Sequence, residues 1–363
     1  MLRMVQIGVG MRGRTWAHLV REHPDVTAVA YVDLDVENMR RWLHSCGDST
    51  TPCYTNLKQA LDETKPDALL VVTPPAVHFE QVMAGLAHGL PVLVEKPLAE
   101  TFSEAIALVQ EAERRQLLLA VGMNFRYIPA HQRIRQIIAG EELGQPSFAQ
   151  FTYLRHRDGR RADLNKYAMT TRQPMLVEQS IHHFDLMRYC YGREVESVVA
   201  DAWNPSWSTY ADDGNASVLL RFAGNLYVNY IGTYASGWNK FDFRWRTDCS
   251  GGVLIQNDQF GDLSQAHFVP EMGLTGDRFK REAEPLVQIV PPAADNFMEN
   301  TRLLLCDFLR SVQTGEPVAC EAKDHIKTLA LSLACVEAAA SGHRVVLADF
   351  YRQHQVPDEW LFP

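Results

Sequence analysis

Positive charge is scarce in this sequence. Against 44 Asp and Glu stand only 35 Lys and Arg, a formal net charge of −9 at pH 7. With an isoelectric point near 5.8, that balance argues against general nucleic-acid binding, which usually shows a basic domain, while leaving room for a local basic pocket. No apolar stretch approaches the ~18 uninterrupted residues that span a bilayer, so no membrane segment is expected. Met1 is followed almost at once by a glycine motif, so no secretory leader is expected either. The 7 cysteines (Cys46, Cys53, Cys190, Cys249, Cys306, Cys320, Cys335) are scattered, odd in number and contain no CxxC pair. They are expected to be reduced thiols of a cytoplasmic protein, with no disulfide framework and no metal site. Repeats and low-complexity segments are also missing.

Apolar material is plentiful. At 363 residues and 46% hydrophobic content, the chain exceeds one ordinary core, and two domains are expected. The first third alternates short apolar runs with helical patterns: "MVQIGVG", "GRTWAHLVREH", "DVTAVAYVD", "DVENMRRWLHSC", "DALLVVTPP", "HFEQVMAGLAHG", "LPVLVEKP", then "TFSEAIALVQEAERRQ", which opens on a cap-like Thr101 or Ser103, and "LLLAVGM". Strands of continuous Val, Leu and Ala joined by helices predict a doubly wound parallel sheet buried on both faces. After about Gly122 the texture changes. The runs "SFAQFTYLRH", "ESVVADAW", "NASVLLRF", "NLYVNYIGTYAS", "KFDFRWRTD" and "GGVLIQN" alternate with period 2, and predict an open, largely antiparallel sheet with one buried face. The predicted division is a Rossmann domain over 1–122 and an α+β domain over 123–363.

The turn between the first strand and its helix carries Gly8-x-Gly10-x-x-Gly13. Gly8 permits a tight turn, Gly10 lets the backbone approach a pyrophosphate, and Gly13 permits close helix–strand packing. The helix N-terminus offers unpaired N–H groups and a positive dipole end, so Met11 and Arg12 join the expected contacts. Asp33 lies at the end of the second strand, about 20 residues past Gly13, where this fingerprint places an acid for the ribose hydroxyls. A carboxylate there repels a 2′-phosphate, which favours NAD over NADP. Arg12 either touches the pyrophosphate or reaches the adenosine and relaxes that preference. Thr73-Pro74-Pro75 ends the strand "DALLVV" at the same sheet edge, giving a rigid wall for a flat cofactor and starting a helix near His78.

Glu95-Lys96-Pro97 ends the next strand at that edge. A lysine on an apolar strand is unusual because burial opposes its charge unless something uses it; the alternative is a solvated charge loosely paired with Glu95. If "MLVEQSIHHFDLMRYC" is one helix, Glu178, His182 and Asp185 fall at i, i+4 and i+7 on one face, while His183 points elsewhere. A carboxylate one turn from an imidazole can orient it for acid–base work; as a bare pattern it also suits a solvated or capping cluster.

GVGMRG, TPPxxH, EKP and the helical E-x-x-x-H-x-x-D, in this order and spacing, resemble the Gfo/Idh/MocA oxidoreductases, a family of inositol, glucose and other sugar dehydrogenases. The resemblance runs to the closing "SLACVEAAASGHRVVL". It implies a Rossmann domain plus an α/β domain whose open sheet mediates dimers or tetramers, and a carbohydrate-like substrate. It implies that Lys96 positions or polarises the reacting hydroxyl and that His182 takes its proton while hydride leaves for nicotinamide. "NFRYIP" resembles the family's crossover segment, which places Asn124 and Arg126 in the cleft with Asp185. The family's usual Asp before the histidine is Glu178 here, longer by about one carbon–carbon bond, so it contacts either substrate or imidazole. Its usual glycine is Ser180, expected to narrow the pocket.

The stretch "LRHRDGRRADLNKYAMTTR" holds Arg155, Arg157, Arg160, Arg161, Lys166 and Arg172 against Asp158 and Asp163. It reads either as recognition of a carboxylated or phosphorylated substrate or as a solvated loop or subunit contact. Trp203 and Trp207 are candidates for stacking on a sugar or packing an interface. Three functions fit the sequence: an NAD-dependent dehydrogenase, a redox-type glycoside hydrolase that retains NAD, and a non-catalytic dinucleotide sensor.

Overall fold

The strands Ala68–Val71 (ALLV), Val92–Val94 (VLV) and Leu119–Val121 (LAV) are buried at every residue, as strands covered on both faces must be. They are β4, β5 and β6 of a six-stranded sheet completed by β1 (Leu2–Ile7), β2 (Val26–Val32) and β3 (Cys53–Tyr54), in the order β3-β2-β1-β4-β5-β6. All its pairings are parallel. The chain leaves β1 on one side of the sheet and β4 on the other, so the carboxyl ends of β1 and β4 flank the point where strand order reverses, the place where open α/β sheets bind ligands. The crossovers carry helices α1 (Met11–Glu22), α2 (Val36–Ser45), α3 (Leu57–Thr64), α4 (His78–Ala87) and α5 (Phe102–Arg115). Between the two cap residues offered for α5, the structure selects Thr101. Its hydroxyl accepts from Glu104 N–H at 3.3 Å and Glu104 Oε2 accepts from Thr101 N–H at 3.0 Å, a reciprocal cap worth about 1 kcal/mol.

The computed structural model describes residues 1–157, 169, 171–237, 241–269, 283–293 and 297–361. Two compact units divide the chain. The first comprises 1–124, 297–327 and 356–363, and the second 125–296 and 328–355. No helix among the described residues is long and apolar enough to cross a membrane.

In the second unit, helices α6 (Pro129–Ala139) and α7 (Ser180–Tyr191) accompany a nine-stranded sheet. Its strands are β7 (Pro146–Leu154), β8 (Val195–Trp203), β9 (Asn215–Phe222), β10 (Leu226–Thr233), β11 (Asp242–Cys249), β12 (Gly252–Asp258), β13 (Gly261–His267), β14 (Val287–Val290) and β15 (Val345–Val346). Their order is β14-β13-β12-β11-β7-β10-β9-β8-β15. Only the β7–β10 pair is parallel among these. Alternation sets the faces. Phe151, Tyr153, Tyr230 and Trp245 are buried, whereas Phe148, Val199 and Ile231 stay exposed. His131 of α6 stitches the unit together: its Nδ1 lies 2.9 Å from Phe125 O, and Gln256 of β12 lies 3.4 Å from its Nε2.

The single helix read from "MLVEQSIHHFDLMRYC" is not what forms. Met175–Gln179 is a π-helical turn, and the α-helix begins at Ser180. The Ser180 backbone N–H reaches back to Met175 O, and its hydroxyl donates to the same carbonyl at 2.8 Å. Leu176 O also accepts from the Ser332 hydroxyl, at 2.7 Å. Side-chain competition of this kind is what breaks a regular i→i−4 ladder.

Candidate functional site

In the first unit the glycine turn is built as its spacing predicts. Gly8 has φ +91°, and a Cβ there would lie 2.2 Å from Val72 O; one on Gly13 would lie 2.2 Å from Gly8 O. Both positions need glycine for the fold alone. Gly10 differs, because a Cβ on it would meet nothing within 4 Å. It caps α1 with no side-chain hydrogen bond, leaving the first-turn N–H groups to a ligand or solvent. The buried Gln6 amide, which sequence reasoning missed, holds the turn by donating to Gly8 O at 2.9 Å and Gly13 O at 2.8 Å. Asp33 is fixed at the same edge: its carboxylate accepts from Val9 N–H at 2.7 Å and Asp35 N–H at 3.0 Å. Three apolar side chains that follow β1, β2 and β4 are left exposed: Met11 at 60%, Leu34 at 93% and Val77 at 37%. Exposed Pro74 belongs with them, and Thr73 donates to Gln81 Oε1 at 2.6 Å. A dinucleotide fits this edge: an open glycine with uncapped N–H groups for phosphate, a fixed carboxylate for ribose, and apolar side chains for rings.

Three residues assigned to the cofactor from the sequence hold the protein's own structure. Arg12 turns to Glu95, its Nε donating at 2.6 Å, while another nitrogen donates to Thr301 at 3.2 Å and the guanidinium lies over the Trp16 and Phe297 rings. Glu95 Oε1 also accepts from Trp16 Nε1 at 2.7 Å, and Oε2 accepts from Lys96 N–H at 3.2 Å. Burial alone would raise the Glu95 carboxyl; Arg12, the Trp16 bond and Lys96 together hold it below the usual carboxylate range. His78 is fully buried between two backbone carbonyls, Pro97 O at 2.9 Å and Thr73 O at 2.8 Å. It clamps the TPP turn to the EKP turn, and burial pushes its pKa down despite those carbonyls. Lys96 itself is half-buried at the carboxyl end of β5. Asn124 is buried and donates to Thr301 at 3.3 Å. On the next helix, Phe297–Thr314 (α8), Asn300 is 1% exposed and neither of its amide atoms has a partner among the described residues.

In the second unit His182 is 8% exposed and stacks on Phe125, centroids 4.5 Å apart at 24°. His183 points elsewhere, toward Tyr230 OH at 3.0 Å and Gln179 at 3.2 Å. Asp185 and Arg126 form a buried two-pronged ion pair, with Nε–Oδ2 at 2.7 Å and Nη2–Oδ1 at 2.5 Å, and Thr328 donates to Asp185 at 3.0 Å. The two groups expected to face substrate thus neutralise each other and tie the 124–127 turn to α7. Ser180 is fully buried against Tyr230 OH at 2.7 Å, so its hydroxyl supports β10 instead of narrowing a pocket.

Glu178 sits in the π turn and accepts from Arg157 Nη1 at 3.0 Å and from Tyr234 OH. Arg157 also donates to Tyr234 OH at 3.1 Å, and Tyr210 stacks on Tyr234. Arg155 is exposed and donates to Tyr153 OH at 3.4 Å. Tyr153 and Tyr234 escaped sequence reasoning because an aromatic in an alternating run looks like core. Trp207 anchors its loop by donating to Ala235 O at 2.9 Å, Trp203 is exposed, and Arg172 is exposed next to the π turn. Arg160, Arg161, Lys166, Asp158 and Asp163 lie outside the described residues.

Strand order, glycine turn and ribose-placed acid define a dinucleotide-binding protein of the Rossmann type, with a second unit built on an open mixed sheet. The chain belongs to the Gfo/Idh/MocA family: residues 2–123 match its model for the oxidoreductase family, NAD-binding Rossmann fold, and residues 131–255 match the GFO/IDH/MocA C-terminal domain. It is 23% identical to the myo-inositol 2-dehydrogenase of Thermotoga maritima over 351 residues, 96% of this chain and 99% of that one. To the scyllo-inositol 2-dehydrogenase (NAD+) of Bacillus subtilis it is 24% identical over 80% of each chain. Its fold matches the crystal structure of an oxidoreductase from Agrobacterium radiobacter in complex with NAD+, L-tartaric acid and magnesium, with a TM-score of 0.82 and 19% identity over 96% of this chain and 99% of that one.

Proposed function

We propose that the protein is a dehydrogenase that moves a hydride between nicotinamide and the hydroxyl carbon of a sugar, polyol or sugar acid, with NAD preferred to NADP. The observation that carries the reading is the first unit's sheet edge, where open Gly10, the uncapped start of α1 and fixed Asp33 converge. Bound NAD supplies the two-electron acceptor. Asp33 disfavours a 2′-phosphate, and Arg12, engaged by Glu95 and Thr301, is not turned to offset that repulsion. Exposed Met11, Leu34, Val77 and Pro74 support the rings. Lys96, at the carboxyl end of β5, polarises the substrate hydroxyl. His182 takes the hydroxyl proton, its ring held against Phe125. Glu178, already engaged by Arg157 and Tyr234, fixes the polar wall beside that histidine in sequence and does not itself carry the proton.

The test is the appearance of reduced nicotinamide, with NAD and with NADP, across polyols, aldoses, uronic acids and sugar phosphates. Turnover with one group, lost by about a hundredfold or more in Lys96→Ala and His182→Ala while NAD affinity stays near normal, is the expected result. Near-normal kcat in either variant would remove that residue's role. Tightly held NAD with no net NADH would favour the redox hydrolase. The same preparation's mass by light scattering reads self-association, for which exposed Phe148, Val199 and Ile231 on the open sheet give support.

A further inference from the structure

Among the described residues of the second unit, two arginines lie beside one carboxylate. Arg155 and Arg157 leave the end of β7 side by side with the end of β10: Arg155 N–H bonds Thr233 O at 3.0 Å, and Arg157 N–H bonds Tyr234 O at 2.9 Å. The π turn brings Glu178 to the same spot. Glu178 meets Arg157 and Tyr234, both largely buried, and so engages that guanidinium. Arg155 is the second guanidinium. Its bond among the described residues is the long one to Tyr153 OH at 3.4 Å, and no described carboxylate pairs with it. The charges of Arg155, Arg157 and Glu178 are all felt at the Tyr153 and Tyr210 hydroxyls, so they form one cluster.

The phenols carry no negative charge. Burial first, then Glu178, keeps Tyr234 well above its ordinary pKa, and burial holds Tyr210 up at about 12. Among the described residues the cluster holds Arg155, Arg157 and Glu178, with the neutral Tyr153 and Tyr210 hydroxyls beside them. A guanidinium has five N–H donors, and one long bond leaves most of its fork for a planar, two-oxygen acceptor.

We propose that Arg155, backed by Tyr153, Tyr210 and the Arg157–Glu178–Tyr234 group, is a subsite for a carboxylate of the substrate and selects hydroxy acids over neutral sugars and polyols. The inference rests on the dehydrogenase reading for its substrate and deepens it to a substrate class. A planar carboxylate matches the open fork of Arg155 with two parallel bonds. Glu178 is then a positioning residue: it occupies Arg157, so Arg155 alone meets the ligand.

The experiment measures affinities by calorimetry on NAD-loaded protein, for gluconate against glucitol, galacturonate against galactose, and glucose 6-phosphate against glucose. Each acid is expected to bind about tenfold or more tightly than its neutral counterpart, as a charge-assisted bond implies, with the preference weakened by added salt. Arg155→Gln should erase that preference and leave the neutral ligands, NAD affinity and melting temperature where they were. Equal affinity for acid and neutral partner, a preference that survives Arg155→Gln, or a phosphate ester bound more tightly than either acid would overturn the proposal. NADH production is read separately on the same ligands. Its absence throughout would defeat the dehydrogenase reading while leaving the carboxylate preference measurable.

Discussion

Glu95 shows how far one side chain's neighbours decide its role. It is 9% exposed, and an isolated buried carboxylate would cost several kcal/mol; Arg12, Trp16 and the Lys96 backbone compensate it. Removing one partner is therefore worse than removing both. Arg12→Met is expected to cost about 3 kcal/mol of unfolding free energy, measured by urea titration, and the double variant Arg12→Met/Glu95→Gln less than that. The pH dependence has a definite sign. A carboxyl held low in the folded state stabilises above its unfolded value of about 4.5, and that contribution fades as pH falls through the native value. Glu95→Gln should flatten the loss of stability below about pH 4.5; an unchanged acid limb would mean that Arg12 does not hold the charge. The sequence marked both residues as special but offered Arg12 to a phosphate, because nothing local reveals a partner 83 positions away. It likewise offered Asp185 to substrate on the face of His182, when the buried Arg126 engages it.

Glycines in one turn do separable jobs at the scale of the element. Gly13→Ala forces a Cβ onto Gly8 O and is expected to destabilise the fold by about 2–3 kcal/mol as well as abolish NAD binding. Gly10→Ala meets no neighbour within 4 Å, so it should cost no more than about 1 kcal/mol and weaken NAD by tenfold or more. Thermal melts beside NAD titrations read both quantities; normal NAD affinity in Gly10→Ala would move the pyrophosphate away from this turn. The βα pattern was legible because buried parallel strands are continuous in Val, Leu and Ala and glycine spacing reports backbone geometry. The π turn at Met175–Gln179 was not. Its cause is remote: the Ser332 hydroxyl on Leu176 O and Tyr230 on Ser180, neither of which a 3.6-residue periodicity registers.

Acid should act on the whole molecule through histidines buried neutral. His131 is fully buried, and burial, only partly offset by Phe125 O and Gln256, brings its pKa down to about 4; His78 is lowered for the same reason. Between the unfolded value of 6.5 and the native one, the unfolded chain binds a proton that the native protein refuses. Stability therefore rises with pH across that window and is lost as pH falls through it, by about 3 kcal/mol for His131 alone. Denaturant titrations from pH 7 to 4 check this. His131→Gln should reduce the slope, and an identical slope in the variant would place the titration elsewhere. By itself the sequence determined the Rossmann sheet, the glycine turn with Asp33, the alternating second sheet and the family, because periodicity, turn chemistry and motif spacing are local properties. Only the tertiary structure decided that residues 297–327 belong to the first unit, that Arg12 serves Glu95, that Arg126 and Asp185 cancel, and that Glu178 meets Arg157 and Tyr234. Those outcomes depend on which charges and hydroxyls burial forces together, and burial is set by contacts between residues far apart in the chain.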